Sequence, residues 1–127
     1  HGVRISKHFI DDLPALAIDG DQIRQVAINL ILNAGAAMAD GGQLTIETAQ
    51  EDGDAVITFT DTGSGIDEVD LERIFEPFYT TKERGTGLGL AITRQIIEQH
   101  QGSIQMTSRL NHGTIVTIRL PLEREEF

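Results

Sequence analysis

The chain has 127 residues, enough for one domain with a buried core, and it combines a formal net charge of −10 with no cysteine. The acidic balance argues against nucleic acid or an anionic membrane surface as the main partner. The lack of cysteine excludes a disulfide framework and a thiolate metal site. Because the chain opens at His1-Gly2 without a methionine, we expect residues 1–127 to be one domain of a longer protein.

In the first half of the chain, four segments have apolar side chains that recur at a regular spacing. Residues 3–9 alternate and predict a half-buried strand, while residues 21–38 have apolar side chains at helical spacing and predict an amphipathic helix. Residues 43–50 and 55–60 alternate on either side of a turn and predict an antiparallel pair. Gly35 inside the helix costs about 1 kcal/mol relative to alanine, and we attribute it to close packing.

The second half is predicted to hold a loop, a short helix, a long helix and a closing hairpin. These elements are placed at residues 61–66, 67–75, 88–99, and 103–110 with 114–120. Asp67 is expected to cap the short helix, and Pro121 to stop the last strand. Together the elements predict an α+β fold, a two-layer α/β sandwich whose mixed, mostly antiparallel sheet carries helices on one face.

A glycine-rich segment, Gly85-Thr86-Gly87-Leu88-Gly89, runs directly into the second long helix. Glycines let backbone N–H groups approach a ligand, and a helix start offers unpaired N–H groups and a positive dipole end. This arrangement suits a polyphosphate. The spacing lacks the Gly-Lys-Ser/Thr of the common phosphate loop, so a nucleotide site needs support from elsewhere in the chain.

Three polar residues supply that support. Asn29 and Asn33 lie four apart on one helix face, where they are either plain surface amides or oxygen ligands of the kind Mg²⁺ accepts. Asp61 ends a strand and precedes Gly63 and Gly65. It is either an ordinary turn aspartate or a carboxylate that accepts a hydrogen bond from an exocyclic amine such as that of adenine.

Four segments, taken together, resemble the N, G1, F and G2 boxes of the catalytic ATP-binding domain of two-component sensor histidine kinases. In order, they are residues 29–34, 61–66, 75–78 and 85–90. Residues 113–121 are similar to the closing strand of that family, so the resemblance covers nearly the whole chain. The resemblance implies the Bergerat ATP-binding fold of the GHKL superfamily. Residues 33–38 and 78–82 look most similar to the nitrogen-regulation branch.

The resemblance also implies a role for each matching residue. Asn33 would coordinate the Mg²⁺ that bridges the ATP phosphates, Asn29 would support the phosphates, and Asp61 would bind the adenine amine. Lys82 would act with the two asparagines in catalysis. The other implied nucleotide contacts come from the G1 and G2 segments, a second cation and a threonine of the closing strand: Gly63, Gly65, Ile66, Arg84, Gly85, Thr86, Gly87, Leu88, Gly89 and Thr114.

The chain departs from the family pattern next to the metal asparagine. Many members carry a basic residue and an aromatic ring at the positions of Ala36 and Ala37. Phosphate binding would therefore depend more strongly on Lys82, Arg84 and Arg24.

The implied reaction is transfer of the γ-phosphoryl group of ATP to a histidine on a separate helical dimerisation domain, with a response regulator downstream. An acidic residue follows none of the histidines here, so we expect the acceptor domain to be missing and the isolated chain to be inactive as an autokinase. Because no apolar run reaches the ~20 residues that span a bilayer, we expect a cytoplasmic domain without membrane contact, even where the parent protein is anchored.

Three alternative functions remain open. The chain would otherwise be a hydrolytic ATPase of the same superfamily, an anti-sigma-type serine kinase, or a degenerate interaction module. The hydrolytic branches carry a glutamate one turn before the metal asparagine, where this chain has Asn29, a very poor base. This position favours the kinase.

Overall fold

The computed structural model describes residues 2–9, 20–76 and 89–122. These residues form five strands and three helices. In chain order the elements are β1 (Val3–His8), α1 (Gly20–Ala37), β2 (Gly42–Glu51), β3 (Asp54–Asp61), α2 (Glu68–Leu71), α3 (Gly89–Gln99), β4 (Ser103–Arg109) and β5 (Gly113–Pro121).

The five strands form one sheet in the order β1-β2-β3-β5-β4. β1 runs parallel to β2, and the other three pairings are antiparallel. In the β3–β5 ladder Asp61 lies opposite Thr114, so the end of β3 meets the start of β5. The predicted mixed, mostly antiparallel sheet is confirmed, and its register brings two of the predicted site residues together.

The core lies between one face of the sheet and the helices α1 and α3. From α1 it receives Val26, Leu30 and Ala34, which recur every four residues and are almost fully buried. The sheet contributes an aliphatic layer that includes Leu44, Ile118 and Leu120, and α3 contributes Ile96 and Ile97. The prediction of a two-layer sandwich with helices on one face is confirmed.

Helix α3 ends in a backbone arrangement that its sequence makes possible. Gln101 adopts a left-handed φ of 62°. The N–H groups of Gln101 and Gly102 donate to the carbonyls of Glu98 and Ile97 at 3.0 and 2.9 Å, the pattern of a Schellman cap. A Cβ on Gly102 would collide with the carbonyl oxygen of Arg119. Glycine is therefore required here because β5 passes so close to the chain.

Several predicted details are wrong. The side chains of β1 are mostly exposed rather than half-buried, with Ile5 at 50%, because β1 is at the end of the described sheet. Gly35 is not closely packed, since a Cβ there would meet nothing within 4 Å. Pro121, expected to stop the last strand, is the last residue of β5, which therefore extends one residue beyond its predicted end, and the N–H of Leu122 still donates to Gly53 O at 3.0 Å.

The short helix is also smaller than predicted. α2 covers Glu68–Leu71, and turns rather than helix follow up to residue 75. Asp67 is at the N-cap position, as expected, but its side chain makes no capping hydrogen bond.

Candidate functional site

A cleft of about 610 Å³ opens between α1, the end of β3, the segment around α2 and the first turn of α3. This volume lies within the range of small-molecule sites. The cleft collects seven of the residues predicted from the sequence: Asn29, Asn33, Asp61, Gly65, Ile66, Gly89 and Thr114. These residues come from segments up to 85 positions apart, so their convergence is a property of the fold.

Asp61 is a polar group of the cleft that the backbone holds in place. Its Oδ1 accepts hydrogen bonds from the backbone N–H groups of Gly63 at 2.9 Å and Thr114 at 3.3 Å. The first bond forms because the chain turns sharply after β3, and the second because β5 starts opposite Asp61. Among the described residues no donor occupies Oδ2. The carboxylate is thus held by one oxygen, and the other remains available to a ligand donor.

Gly63 and Gly65 are needed by the protein's own packing. A Cβ on Gly63 would lie 2.7 Å from the carbonyl oxygen of Ala37 at the end of α1. Gly65 has φ of 76°, and a Cβ there would collide with the carbonyl oxygen of Arg109. Only Gly65 lines the cleft. The packing accounts for both glycines, and their predicted role in admitting a base stays a prediction.

The start of β5 is joined to the loop after β3 by a hydroxyl pair that the sequence did not reveal. Ser108 Oγ accepts the N–H of Ile66 at 2.7 Å and lies 2.7 Å from Thr114 Oγ1. Thr114 is only 7% exposed, so its hydroxyl is held in place. The register pairs Ser108 with Thr114 across the β4–β5 hairpin. The sequence signal that could have predicted this contact is the presence of a hydroxyl residue, Ser108 and Thr114, on each side of the predicted hairpin turn.

Gly113 explains how Thr114 comes so close to Asp61. Its φ is 120°, and a Cβ there would collide with the carbonyl oxygen of Asp61. Any larger residue would push the start of β5 away and lengthen the Thr114–Asp61 bond. The hairpin turn and the site therefore depend on the same glycine.

Asn29 forms a link between the two long helices. Its Nδ2 donates to Thr93 Oγ1 at 3.3 Å and to the carbonyl of Gly89 at 3.4 Å, both in the first turns of α3. Thr93 is fully buried, and its hydroxyl donates to the same carbonyl at 2.8 Å. Asn33 lines the cleft one turn further along α1. Thr93 was not predicted as part of the site.

The charge of the described cleft is negative. Its described lining includes the carboxylates of Asp61, Asp67 and Asp70 but no lysine or arginine. Arg24 is not in that lining; its side chain is 75% exposed and lies 3.8 Å from Asp21. The predicted contribution of Arg24 to phosphate binding therefore receives no support.

Six predicted nucleotide contacts lie outside the described residues: Lys82, Arg84, Gly85, Thr86, Gly87 and Leu88. Within residues 2–9, 20–76 and 89–122, no cluster of three or more acidic or histidine side chains is arranged to hold a metal ion. The same part of the chain contains no helix with both the length and the apolarity to cross a membrane.

The fold and the cleft are those of an ATP-binding catalytic domain. Residues 18–124 match the family described as histidine kinase-, DNA gyrase B-, and HSP90-like ATPase, and the chain belongs to this family. Its curated relatives include sporulation kinase E of Bacillus subtilis, 44% identical over 96% of this chain, and the sensor histidine kinase ZraS of Escherichia coli K12, 45% identical over 88%. The chain spans only 17% and 24% of the lengths of these two proteins.

Solved structures show the same fold. The catalytic domain of histidine kinase ThkA superposes with a TM-score of 0.83 at 34% identity, covering 94% of this chain and 78% of that one. Full-length ShkA in complex with AMPPNP also gives 0.83, at 28% identity, covering 94% of this chain and 25% of ShkA. The prediction of a histidine kinase catalytic domain is confirmed. The nitrogen-regulation branch is not distinguished, because the relatives include sporulation kinases.

Proposed function

We propose that this chain binds ATP with Mg²⁺ in the described cleft and donates the γ-phosphoryl group to a histidine on a separate helical domain of a longer protein. The observation that carries the proposal is the Asp61 carboxylate, held by two backbone N–H groups in a cleft that the amides of Asn29 and Asn33 also line. A carboxylate acceptor suits the exocyclic amine of adenine, and amide oxygens suit a Mg²⁺ ion that arrives with the phosphates.

The adenine end of the site is formed by Asp61 and Thr114. A carboxylate oxygen left without a donor is a strong acceptor for the exocyclic amine, and a hydrogen bond to a charged group contributes about 1.5–3 kcal/mol. The Thr114 hydroxyl is held by Ser108 and lies beside Asp61, where a bridging water would join it to the same amine. Apolar side chains such as Phe59 and Met106, which also line the cleft, would contact the base.

The phosphate end lies between Asn29, Asn33 and the start of α3 at Gly89. A helix start carries partial positive charge and unpaired N–H groups, which favour phosphate oxygens. Lys82, Arg84 and the glycines at 85 and 87 are proposed to complete this end.

The residues at this end fit a Mg²⁺ ion that arrives with the nucleotide. The described cleft offers amide oxygens, which are acceptable ligands, and no preformed acidic cluster. We assign Asn33 as its protein ligand. When bound, Mg²⁺ neutralises charge on the transferring phosphates, and the chain supplies position and electrostatics, which dominate phosphoryl transfer.

The proposal favours transfer over hydrolysis because of Asn29. A water-activating base has to accept a proton, and an amide does not do so near neutral pH. Moreover, the Asn29 nitrogen already donates to α3, so this side chain is engaged in holding two helices together. We therefore propose a kinase rather than a hydrolytic ATPase of the same family.

We also propose a wider context for this domain. The similarity to sensor and sporulation kinases supports an acceptor domain elsewhere in the parent protein and a response regulator downstream. A cytoplasmic location and membership of the nitrogen-regulation branch remain proposals from the sequence.

Calorimetric titration with ADP, with and without Mg²⁺, tests the binding step. Incubation with labelled ATP tests the transfer step. The chain alone should acquire no acid-labile phosphate, whereas adding the helical domain of its parent protein should produce phosphohistidine on that domain. Label on a histidine of this chain, such as His100 or His112, would contradict the proposed division of labour between the two domains.

A further inference from the structure

Thr93 is a buried polar residue to which the proposed function assigns no role. It lies in α3 with no exposed surface, one turn after Gly89. Its hydroxyl oxygen is 2.8 Å from the carbonyl oxygen of Gly89 and 3.3 Å from Asn29 Nδ2. Thr93 thus lies between the first turn of α3 and an amide that lines the cleft.

The hydrogens in this group can be assigned from chemistry. A hydroxyl has one hydrogen, and the Gly89 carbonyl is an acceptor only, so the Thr93 hydrogen goes to Gly89. The Thr93 oxygen then offers only a lone pair to Asn29. Because Gly89 O lies 3.4 Å from the same side-chain nitrogen, both neighbours of Asn29 on α3 are acceptors.

This assignment determines the orientation of the Asn29 amide, which is otherwise ambiguous between oxygen and nitrogen. The nitrogen must face α3, because an oxygen there would meet two acceptors. The amide oxygen is therefore not bonded to α3. Because the Asn29 side chain lines the cleft, this oxygen is the part of the amide left for a ligand. Asn29 then offers the ligand an acceptor rather than a donor.

We infer that Thr93 is a positioning residue which, through Asn29, fixes an amide oxygen at the phosphate end of the cleft. This inference rests on the proposed function. An acceptor at that end interacts with a hydrated cation and not with phosphate oxygens. Thr93 therefore affects the part of nucleotide affinity that depends on Mg²⁺, and not the part that comes from the base.

The test compares Thr93→Val, which keeps the shape and removes the hydroxyl, with Thr93→Ser, which keeps the hydroxyl. ADP affinity is measured by calorimetry in Mg²⁺ and in EDTA. We expect Thr93→Val to lose about fivefold to tenfold of affinity in Mg²⁺, the equivalent of one net hydrogen bond, and to be unchanged in EDTA. Thr93→Ser should recover most of the loss.

A double-mutant cycle separates positioning from general packing. In an Asn29→Ala background, Thr93→Val should have no further effect in Mg²⁺, because the residue through which it acts is gone. Equal losses in Mg²⁺ and in EDTA would show a purely structural role and overturn the inference. Wild-type affinity in Thr93→Val, or wild-type binding that does not respond to Mg²⁺, would overturn it as well.

A measurement on the wild-type chain covers the case in which Thr93→Val does not fold. In NMR spectra the side-chain amide protons of Asn29 should exchange with water more slowly than those of Asn111, which is exposed. Equal exchange rates would refute the proposed bonds. Failure of the wild-type chain to bind ADP under any condition would instead refute the proposed function.

Discussion

Replacing Asp61 with asparagine changes the adenine end of the site while leaving its framework intact. The amide oxygen of Asp61→Asn can still accept from Gly63 and Thr114, which now hold Oδ1 at 2.9 and 3.3 Å. The new NH₂ group then takes the place of Oδ2. A donor faces the adenine amine, where an acceptor was before.

The expected effect follows from that reversal. A hydrogen bond to a charged group contributes about 1.5–3 kcal/mol, so ADP affinity should fall roughly tenfold to a hundredfold. Because both backbone N–H groups keep an acceptor, thermal stability should change by only a few degrees. The affinity for inosine diphosphate, whose base has a carbonyl in place of the amine, should fall much less or rise.

The assay is calorimetric titration of both nucleotides in Mg²⁺. Asp67→Asn is the matched control, since Asp67 also lines the cleft, is exposed, and makes no capping hydrogen bond. It removes the same charge and should leave the preference for adenine unchanged. Equal preference for ADP over inosine diphosphate in wild type and Asp61→Asn would refute the assignment of Asp61 to the base.

The remaining predictions concern two glycines and one asparagine. Gly65→Ala should destabilise the fold by about 2 kcal/mol or more, because the residue has a φ of 76° and a Cβ would collide with Arg109 O. Gly35→Ala should stabilise it by about 0.5–1 kcal/mol, since a Cβ there meets nothing, and urea unfolding of both variants checks the contrast. ATP hydrolysis by the isolated chain should stay near background in a phosphate-release assay; robust turnover that survives Asn29→Ala would favour the ATPase class.

Local patterns were sufficient to predict most of the elements. α1 was predicted at residues 21–38 and lies at Gly20–Ala37, because the helical spacing of its apolar residues is visible in the local sequence. The β4–β5 hairpin was predicted from the turn around Gly113, whose φ of 120° few other residues adopt. In both cases the pattern that predicts the element lies within a short stretch of sequence.

Properties set by distant partners were not predictable. Glycine is not required by packing at Gly35, where a Cβ would meet no atom within 4 Å. At Gly63 it is required, because the end of α1 lies too close for a Cβ. The exposure of β1 depends on its parallel pairing with β2 at the end of the sheet. No local period carries that information.

The site shows the same division. The residues predicted from motifs, such as Asn33 and Asp61, do line one cleft. Ser108 and Thr93 were missed because their partners lie far away in sequence: Ser108 bonds Ile66, and Thr93 bonds Asn29, 64 positions earlier. Neither residue carries chemistry by itself. Each is bonded to a residue of the proposed site, Ser108 to Thr114 and Thr93 to Asn29.

The described cleft is acidic, so a bound nucleotide needs positive charge near its phosphates. A carboxylate near a phosphate opposes its binding through like-charge repulsion, which is stronger where the local dielectric constant is low. Three carboxylates line the described cleft, Asp61, Asp67 and Asp70, in a chain with a net charge of −10. Since the described lining contains no lysine or arginine, we expect compensating charge from Mg²⁺, from Lys82 and Arg84, or from both. In the proposed site, recognition of the base and neutralisation of the phosphates depend on different groups, so we expect Mg²⁺ to change phosphate affinity without changing the preference for adenine.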